Sequence, residues 1–79
     1  IMNIKAISVG DILVYWHETH PGDFDPYYVE VLKVCNKRIK FRKENGDEYY
    51  RAPGMFDDRK ATREEWDEVT KGRFKRPVS

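Results

Sequence analysis

The sequence predicts a single, mainly β domain: a small barrel of four to five antiparallel strands followed by a short C-terminal α-helix. Between residues 9 and 56, apolar and polar residues alternate with the period of a strand, in short runs separated by turn residues. From residue 62 onward the pattern becomes that of a helix with a capping signal. With 79 residues the chain has room for one core, so residues 1–79 are expected to form one domain, with the barrel at about 9–56.

The first strand is predicted over residues 12–17. Ile12 and Val14 lie on one of its faces and Leu13 on the other, so both faces are apolar. We therefore expect both faces to be covered, one of them by the C-terminal helix or by a partner. Residues 18–26 are predicted to form a loop, because they contain two prolines, a glycine and two aspartates.

The second strand is predicted over residues 27–35, with a bulge or sharp bend inside it. Tyr27, Val29 and Val31 share one phase of the alternation, and the apolar phase then shifts at Leu32. Small barrels use such bulges to turn corners.

Two further strands, over residues 38–43 and 48–52, are predicted to form a hairpin. In the first of them, apolar residues point inward while alternating basic residues point outward. The connection contains Asn45-Gly46, and these residue types predict a type I′ turn, which requires positive φ at both central positions.

A short helix is predicted over residues 63–71. Thr62 and Glu65 have the spacing of a capping box, and acidic residues follow in the half of the helix where its dipole favours negative charge. A helix this short is not stable alone, so we expect its apolar face, with Trp66, to dock on the sheet. Residues 72–79 are predicted to form a basic tail.

Three segments carry a family resemblance: Gly10-Asp11-Ile12, Tyr28-Val29-Glu30-Val31-Leu32, and Phe41 through Gly46-Asp47. In their order and spacing they resemble the SH3-like barrel superfamily, and in particular its Tudor-type and KOW-type members. Tudor-type domains bind peptides, often with methylated lysine or arginine, in an aromatic cage. KOW-type domains bind RNA or partners in transcription and in the ribosome. The resemblance therefore implies a binding module.

Composition restricts where and how such a module can act. The net charge is +1 and the isoelectric point is about 8.0, whereas dedicated nucleic-acid-binding domains typically exceed about 9. Nucleic-acid binding would therefore have to rest on local segregation of charge. The single cysteine, Cys35, excludes an internal disulfide and fits a reducing compartment, so we expect a cytoplasmic protein. No apolar run approaches membrane-spanning length, and no membrane partner is expected.

A basic strand is the leading candidate site. It comprises five cations within seven residues and one from the return strand: Lys37, Arg38, Lys40, Arg42, Lys43 and Arg51. Arg38, Lys40 and Arg42 alternate on one face about 6.5–7 Å apart, a repeat comparable with the separation of successive phosphates. The competing interpretation is a solvated face whose cations pair with Glu48 or Glu30 across the strands. A second basic cluster follows the helix, at Lys71, Arg73, Lys75 and Arg76.

Tyrosine pairs at residues 27–28 and 49–50 provide a second candidate site. Neighbouring side chains leave opposite faces of a strand, so we expect one tyrosine of each pair to fill the core and the other to face outward. Three tyrosines, together with Glu30, are predicted to line a groove for a peptide or a partner subunit: Tyr15, Tyr28 and Tyr50. Alternatively, the outward rings lie beneath the C-terminal helix.

Four loop residues offer the chemistry of metal ligands: His17, His20, Asp23 and Asp25. Their spacing does not match that of a closed zinc site. The sequence also lacks a glycine-rich phosphate loop and the pattern of an activated nucleophile. We therefore predict no metal site, no cofactor, no small-molecule substrate and no enzymatic activity.

The leading hypothesis is a nucleic-acid-binding or nucleic-acid-associated accessory protein that uses the basic strand. One alternative is a protein- or peptide-interaction module, of which a self-associating edge strand is a variant. Another is a small phage-type inhibitor protein.

Overall fold

A computed structural model describes residues 2–74 as a mainly β fold with one short C-terminal helix, which confirms the predicted fold class. The regular elements are β1 (Ile12–His20), β2 (Asp23–Val34), β3 (Ile39–Lys43), β4 (Glu48–Arg51) and α1 (Arg63–Thr70). Single 3₁₀ turns occur at Ile4–Ala6 and Pro53–Met55.

The four strands form one antiparallel sheet in the order β1-β2-β3-β4. After β4 the chain returns to the free edge of β1, where Asp57 N–H donates to the Val14 carbonyl at 2.7 Å and Ala61 N–H donates to the Ile12 carbonyl at 2.8 Å. Residues 57–61 thus act as a rudimentary fifth strand. Within residues 2–74, no ladder joins β4 to this segment, so the sheet is open and the predicted closure is not complete.

The first two strands are longer than predicted, because residues 18–26 continue both of them instead of forming a loop. The strands turn tightly at Gly22, whose φ is 83°. Since β3 pairs with β2 only as far as Lys43 opposite Val29, residues 16–26 project as a two-stranded segment, which we call the arm. Proline is tolerated in the arm because the outer edge of β2 is unpaired there.

The predicted bulge in β2 is confirmed. The register between β2 and β3 shifts between Val31 and Lys33, so Leu32 has no partner in the ladder. Val29 and Val31 precede the bulge and are fully buried, whereas Val34 follows it and packs at the margin of the core.

The main core lies on one face of the sheet, which we call the inner face. Its buried side chains come from the N-terminal segment, the first three strands and the segment after β4: Met2, Ile7, Leu13, Val29, Val31, Ile39, Phe41 and Phe56. On the opposite, outer face, α1 packs against β2, and Ile12, Val14 and Trp66 are buried. Both faces of β1 are therefore buried as predicted, and α1 lies on the outer face against the neighbouring strand β2.

The helix begins as the sequence predicts. The Thr62 hydroxyl accepts the Glu65 backbone N–H at 3.1 Å, and the Glu65 carboxylate accepts the Thr62 N–H at 3.2 Å, which completes the capping box. The helix ends at Thr70, one residue earlier than predicted, and Lys71 is left-handed with φ 55°. Of the predicted basic tail, residues 75–79 lie outside the described part of the chain.

The turn between β3 and β4 is not the predicted type I′ turn. Among the described residues, the only non-glycine with positive φ is Lys71, so Asn45 does not meet the type I′ requirement. Instead, Gly46 has φ 95° and donates to the Lys43 carbonyl at 2.9 Å, while Lys43 N–H donates to the Asp47 carbonyl at 2.8 Å. This is a three-residue loop with a left-handed glycine in its last position.

No helix within residues 2–74 is both long enough and apolar enough to span a membrane.

Candidate nucleic-acid interface

The predicted basic strand does present Arg38, Lys40 and Arg42 on the outer face, but two of these cations are paired with a carboxylate. Lys40 Nζ lies 3.3 Å from Glu48 Oε1, and Arg42 Nη2 lies 3.2 Å from Glu48 Oε2. Because Arg42 and Lys40 donate hydrogen bonds to it, the pKa of Glu48 is lowered from its usual range. Lys40 and Arg42 are therefore paired with a carboxylate across the strands, as the competing interpretation predicted.

Arg42 also belongs to a buried ionic cluster. The Glu30 carboxylate is fully buried, with Arg42 Nη1 3.9 Å from its Oε1 and Arg63 Nη1 donating to its Oε2. Arg63 Nη2 donates to the Gly10 carbonyl at 2.8 Å, and the Arg42 guanidinium lies over the Phe74 ring at 4.9 Å. These contacts join β2, β3 and α1, so Arg42 serves the fold and is not free to contact a ligand.

Of the three tyrosines predicted to line one groove, Tyr15 and Tyr28 both line one small pocket, but Tyr50 does not. Tyr15 lies on the inner face, whereas Tyr28 and Tyr50 lie on the outer face. The Tyr28 hydroxyl donates to Glu65 Oε2 at 3.2 Å beneath α1, and burial together with this hydrogen bond raises the pKa of Tyr28. Glu30, the fourth predicted member of the groove, is fully buried.

Tyr49 and Tyr50 leave opposite faces of β4 as predicted, but both rings are exposed and neither fills the core. On the outer face, the charged groups of Arg38 and Lys40 each lie 5.8 Å from the centre of the Tyr50 ring. On the inner face, Lys43 Nζ lies 5.7 Å and the Arg51 guanidinium carbon lies 5.1 Å from the centre of the Tyr49 ring.

Lys43 and Arg51 differ from Lys40 and Arg42 in their partners. Neither forms an ion pair with a carboxylate in the described part of the chain. The same holds for Arg38 and for Lys37, which is exposed in the turn before β3. Of the six predicted phosphate-binding cations, two are thus neutralised, and the two on the inner face stand together beside one tyrosine.

These two cations and Tyr49 line a pocket of about 330 Å³ where the inner face extends beyond the core. The residues around the pocket are Tyr15, His17, Phe41, Lys43, Tyr49, Arg51 and Met55. Phe41 is a buried core residue, whereas Tyr49 and Met55 are 37% and 51% exposed. The pocket lining therefore combines apolar side chains, an accessible aromatic ring and two positive charges over that ring.

Packing between rings orders the wall of the pocket. His17 stacks on Tyr27 with 5.4 Å between ring centres and 16° between planes, and Tyr15 meets Tyr27 edge to face at 5.6 Å. Tyr15 also contacts the core through Phe56 at 6.1 Å. A wall fixed in this way binds a ligand with little loss of side-chain entropy.

A second, smaller pocket of about 140 Å³ adjoins the first, and both include Tyr15 and Lys43. The residues around it are Tyr15, Tyr27, Tyr28, Lys43, Glu44 and Asn45. We call the two pockets together the inner-face groove. Its wall includes the carboxylate of Glu44, whose Oε2 accepts the Tyr28 backbone N–H at 2.8 Å.

Sequence reasoning placed Lys43 and Arg51 with the outer cations and did not assign Tyr49 to the site. The sequence does indicate that Lys43 lies on the inner face, because in the alternation of β3 it is on the same face as the core residues Ile39 and Phe41. The hairpin register then places Arg51 opposite Ile39, and Tyr49 opposite Phe41. A sequence interpretation that began from these core positions would have separated the two groups of cations.

The four loop residues considered as metal ligands do not converge. No group of three or more histidine, cysteine or acidic side chains within residues 2–74 has the arrangement of a metal site. His17 is stacked on Tyr27, and Asp25 accepts the Thr19 hydroxyl at 3.2 Å.

Comparison with known proteins finds no protein family, curated protein or solved structure with significant similarity to the chain.

Proposed function

We propose that the protein is a non-enzymatic module that binds single-stranded nucleic acid in the inner-face groove. The observation that carries this proposal is the exposed Tyr49 ring, with the charged groups of Lys43 and Arg51 over it, in the lining of a pocket of about 330 Å³. Stacking of a base on an aromatic ring contributes about 1–3 kcal/mol, and a base stacks on Tyr49 when Lys43 and Arg51 move from over the ring to the adjoining phosphates. The order of the strands and the return of residues 57–61 to β1 support the SH3-like relationship that we also propose.

The concave shape of the groove favours a single strand over a duplex. Bases of a duplex are stacked on one another, and their faces are not accessible to a tyrosine ring. Bases of a single strand are free to turn into a pocket and stack there. A cytoplasmic location, which the free thiol of Cys35 also favours, is part of the proposal.

Charge reversal in the groove tests this function. We expect the double variant Lys43→Glu, Arg51→Glu to bind a fluorescent single-stranded oligonucleotide at least about tenfold more weakly at low salt, because two attractions to phosphate become repulsions. Fluorescence anisotropy gives both affinities. Lys5→Glu, Lys33→Glu is the matched control: it changes the net charge equally, but Lys5 lies in the N-terminal 3₁₀ turn and Lys33 pairs at the opposite end of β3.

The control variant should retain the low-salt affinity within about threefold, since only long-range attraction is lost. Absence of binding by the unmodified protein would end the proposal. Equal losses in both double variants would show that net charge, and not the groove, determines binding.

A second candidate function, binding of a protein partner, is favoured by the arm. Trp16 and Phe24 are 51% and 55% exposed on the same face of the arm, and the Trp16 indole N–H donates to Asp57 Oδ2 at 3.0 Å. Adjacent exposed aromatic side chains are typical of interaction surfaces. Residues 17–26 contain three acidic residues and no lysine or arginine, so the expected partner has a basic surface. A host enzyme as that partner would make the protein an inhibitor of the phage type.

Phe24→Ser tests this second function without touching the groove. A protein that is captured by the unmodified chain would be purified and titrated against both forms by calorimetry. We expect Phe24→Ser to weaken that binding at least about tenfold, as loss of a central aromatic contact does. The groove variant Lys43→Glu, Arg51→Glu is the control and should bind the partner normally. Equal affinity of Phe24→Ser and the unmodified chain would exclude the arm.

A further inference from the structure

The second pocket of the groove adds a feature that the first lacks, an acidic group facing a small aromatic space. Glu44 is half-buried at the start of the turn between β3 and β4. Its Oε2 is held by the Tyr28 backbone N–H at 2.8 Å, while Oε1 makes no hydrogen bond within residues 2–74. The carboxylate is thus fixed in place and retains an available acceptor.

Two other polar groups of the second pocket are already engaged. The Asn45 amide donates to Asp47 Oδ2 at 3.2 Å, and its oxygen accepts the Asp47 N–H at 3.0 Å. The Tyr28 hydroxyl donates to Glu65. The hydroxyls of Tyr15 and Tyr27, which make no hydrogen bond within residues 2–74, can both donate and accept. Glu44 is therefore the one side chain of this pocket, among the described residues, that only accepts, and Lys43 is the positive group shared with the first pocket.

We infer that the groove holds two successive nucleotides and that Glu44 makes the second pocket selective for cytosine. Lys43 stands where the two pockets meet, which is the place of the phosphate that links the two nucleotides. The smaller volume, about 140 Å³, favours a one-ring base. Of the pyrimidines, cytosine presents an amino group that donates to a carboxylate without an adjoining carbonyl on that edge, whereas the N3–H of uracil and thymine lies between two carbonyl oxygens that a carboxylate repels. This inference rests on the proposed function.

Octamers of deoxycytidine and deoxyuridine test the selectivity, since their bases lack the thymine methyl group and differ at the amino position. At neutral pH and equal salt, we expect the unmodified protein to bind the cytidine octamer about fivefold to tenfold more tightly, by fluorescence anisotropy. Glu44→Ala should reduce this ratio to about one, by weakening the cytidine complex and relieving repulsion of uracil. Glu68→Ala is the matched control, because it removes the same carboxylate from an exposed position on α1, and it should keep the ratio.

The outcomes separate the two proposals. Binding of neither octamer by the unmodified protein contradicts the proposed function. Equal binding of both octamers leaves the proposed function intact and overturns the inference, and this result does not depend on any variant folding. A preference for cytidine that persists in Glu44→Ala, or one that is lost equally in Glu68→Ala, also overturns the assignment to Glu44.

Discussion

Glu30 is a fully buried carboxylate, and its two arginine partners determine how the sheet and the helix are joined. A buried charge is stable only when ion pairs and hydrogen bonds replace the water that it has lost. Arg63 supplies both an ion pair and a hydrogen bond to Glu30 through Nη1, and its Nη2 donates a further hydrogen bond to the Gly10 carbonyl. The pairing of Arg42 with Glu30 also explains why this residue of the predicted basic patch is a poor candidate for phosphate binding.

Replacement of Arg63 should therefore be costly for stability. We expect Arg63→Met to lower the free energy of unfolding by about 3 kcal/mol, because Glu30 keeps its burial and loses its main partner. Urea denaturation followed by tryptophan fluorescence measures the change. Arg59→Met is the matched control, since Arg59 is exposed and reaches Glu65 only at 3.8 Å, and it should cost less than about 1 kcal/mol. Equal midpoints for the two variants would contradict the role of Arg63.

Three carboxylates at the surface predict the response to acid. The indole N–H of Trp16 lowers the pKa of Asp57, the backbone N–H of Thr62 lowers that of Glu65, and Arg42 lowers that of Glu48. A group whose pKa is lower in the folded state stabilises the fold above its ordinary pKa, and this contribution is lost as the pH falls through the folded-state pKa.

We therefore expect the urea midpoint to be constant near neutral pH and to fall once the pH drops below the ordinary values of 4.5 for glutamate and 3.8 for aspartate. A series of urea titrations from neutral to acid pH measures this fall. Asp57→Asn removes one of the three groups, so its curve should be flatter. A midpoint that rises with acid would contradict the assignment.

At the scale of elements, α1 is held in place by contacts with the rest of the domain. Eight residues do not form a stable helix in isolation. The capping box closes its first turn, Arg63 ties it to Glu30, and Glu65 accepts the hydroxyl of Tyr28. Burial of Trp66 then completes the cover of the outer face.

Loss of the cap should thus weaken the whole domain and not only the helix. We expect Thr62→Ala to lower the free energy of unfolding by about 1 kcal/mol, since an early helical N–H loses its acceptor. Thermal and urea unfolding both report this change. Thr19→Ala is the control, because it makes the same substitution in the exposed arm. It should change the free energy of unfolding by less than about 0.5 kcal/mol. A Thr62 variant as stable as the Thr19 variant would show that the capping box contributes nothing.

The sequence predicted the elements that have a buried face, whereas of the two exposed segments it predicted β4 and missed the arm. The alternation of β3 and the phase shift at Leu32 were informative because packing imposes them. The arm is exposed on both faces, so its strands show no such pattern, and its prolines and glycine suggested a loop. The prediction of a type I′ turn at Asn45-Gly46 was wrong because only Gly46, and not Asn45, has positive φ.

At the scale of the whole molecule, a net charge of +1 conceals a separation of charge. Residues 33–43 contain six lysines and arginines and no acidic residue, whereas the arm has only acidic charges. Such a distribution gives the two segments fields of opposite sign, and Lys43, opposite Val29, lies at the end of β3 that is nearer the arm. Lys43 lies on the inner face at the end of the basic segment, and Arg51 lies beside it on β4.

The salt dependence of the binding constant should report the number of phosphate contacts. For two contacts to a single strand, we expect the logarithm of the binding constant to fall with the logarithm of salt concentration with a slope of about −1.4. Anisotropy titrations over a range of salt concentrations give the slope. In Lys43→Gln, Arg51→Gln the slope should approach zero, whereas Lys5→Gln, Lys33→Gln should preserve it. A slope that is the same in both double variants would place the phosphate contacts elsewhere.

An amide NMR titration with a single-stranded cytidine octamer tests the central claim most directly, because it locates the ligand without any mutation. The account predicts that the largest shift changes occur at residues around the inner-face groove, namely Tyr15, His17, Tyr27, Lys43, Glu44, Tyr49 and Arg51. Shift changes concentrated on the arm or around Arg38 and Lys40, or no changes at all, would contradict it.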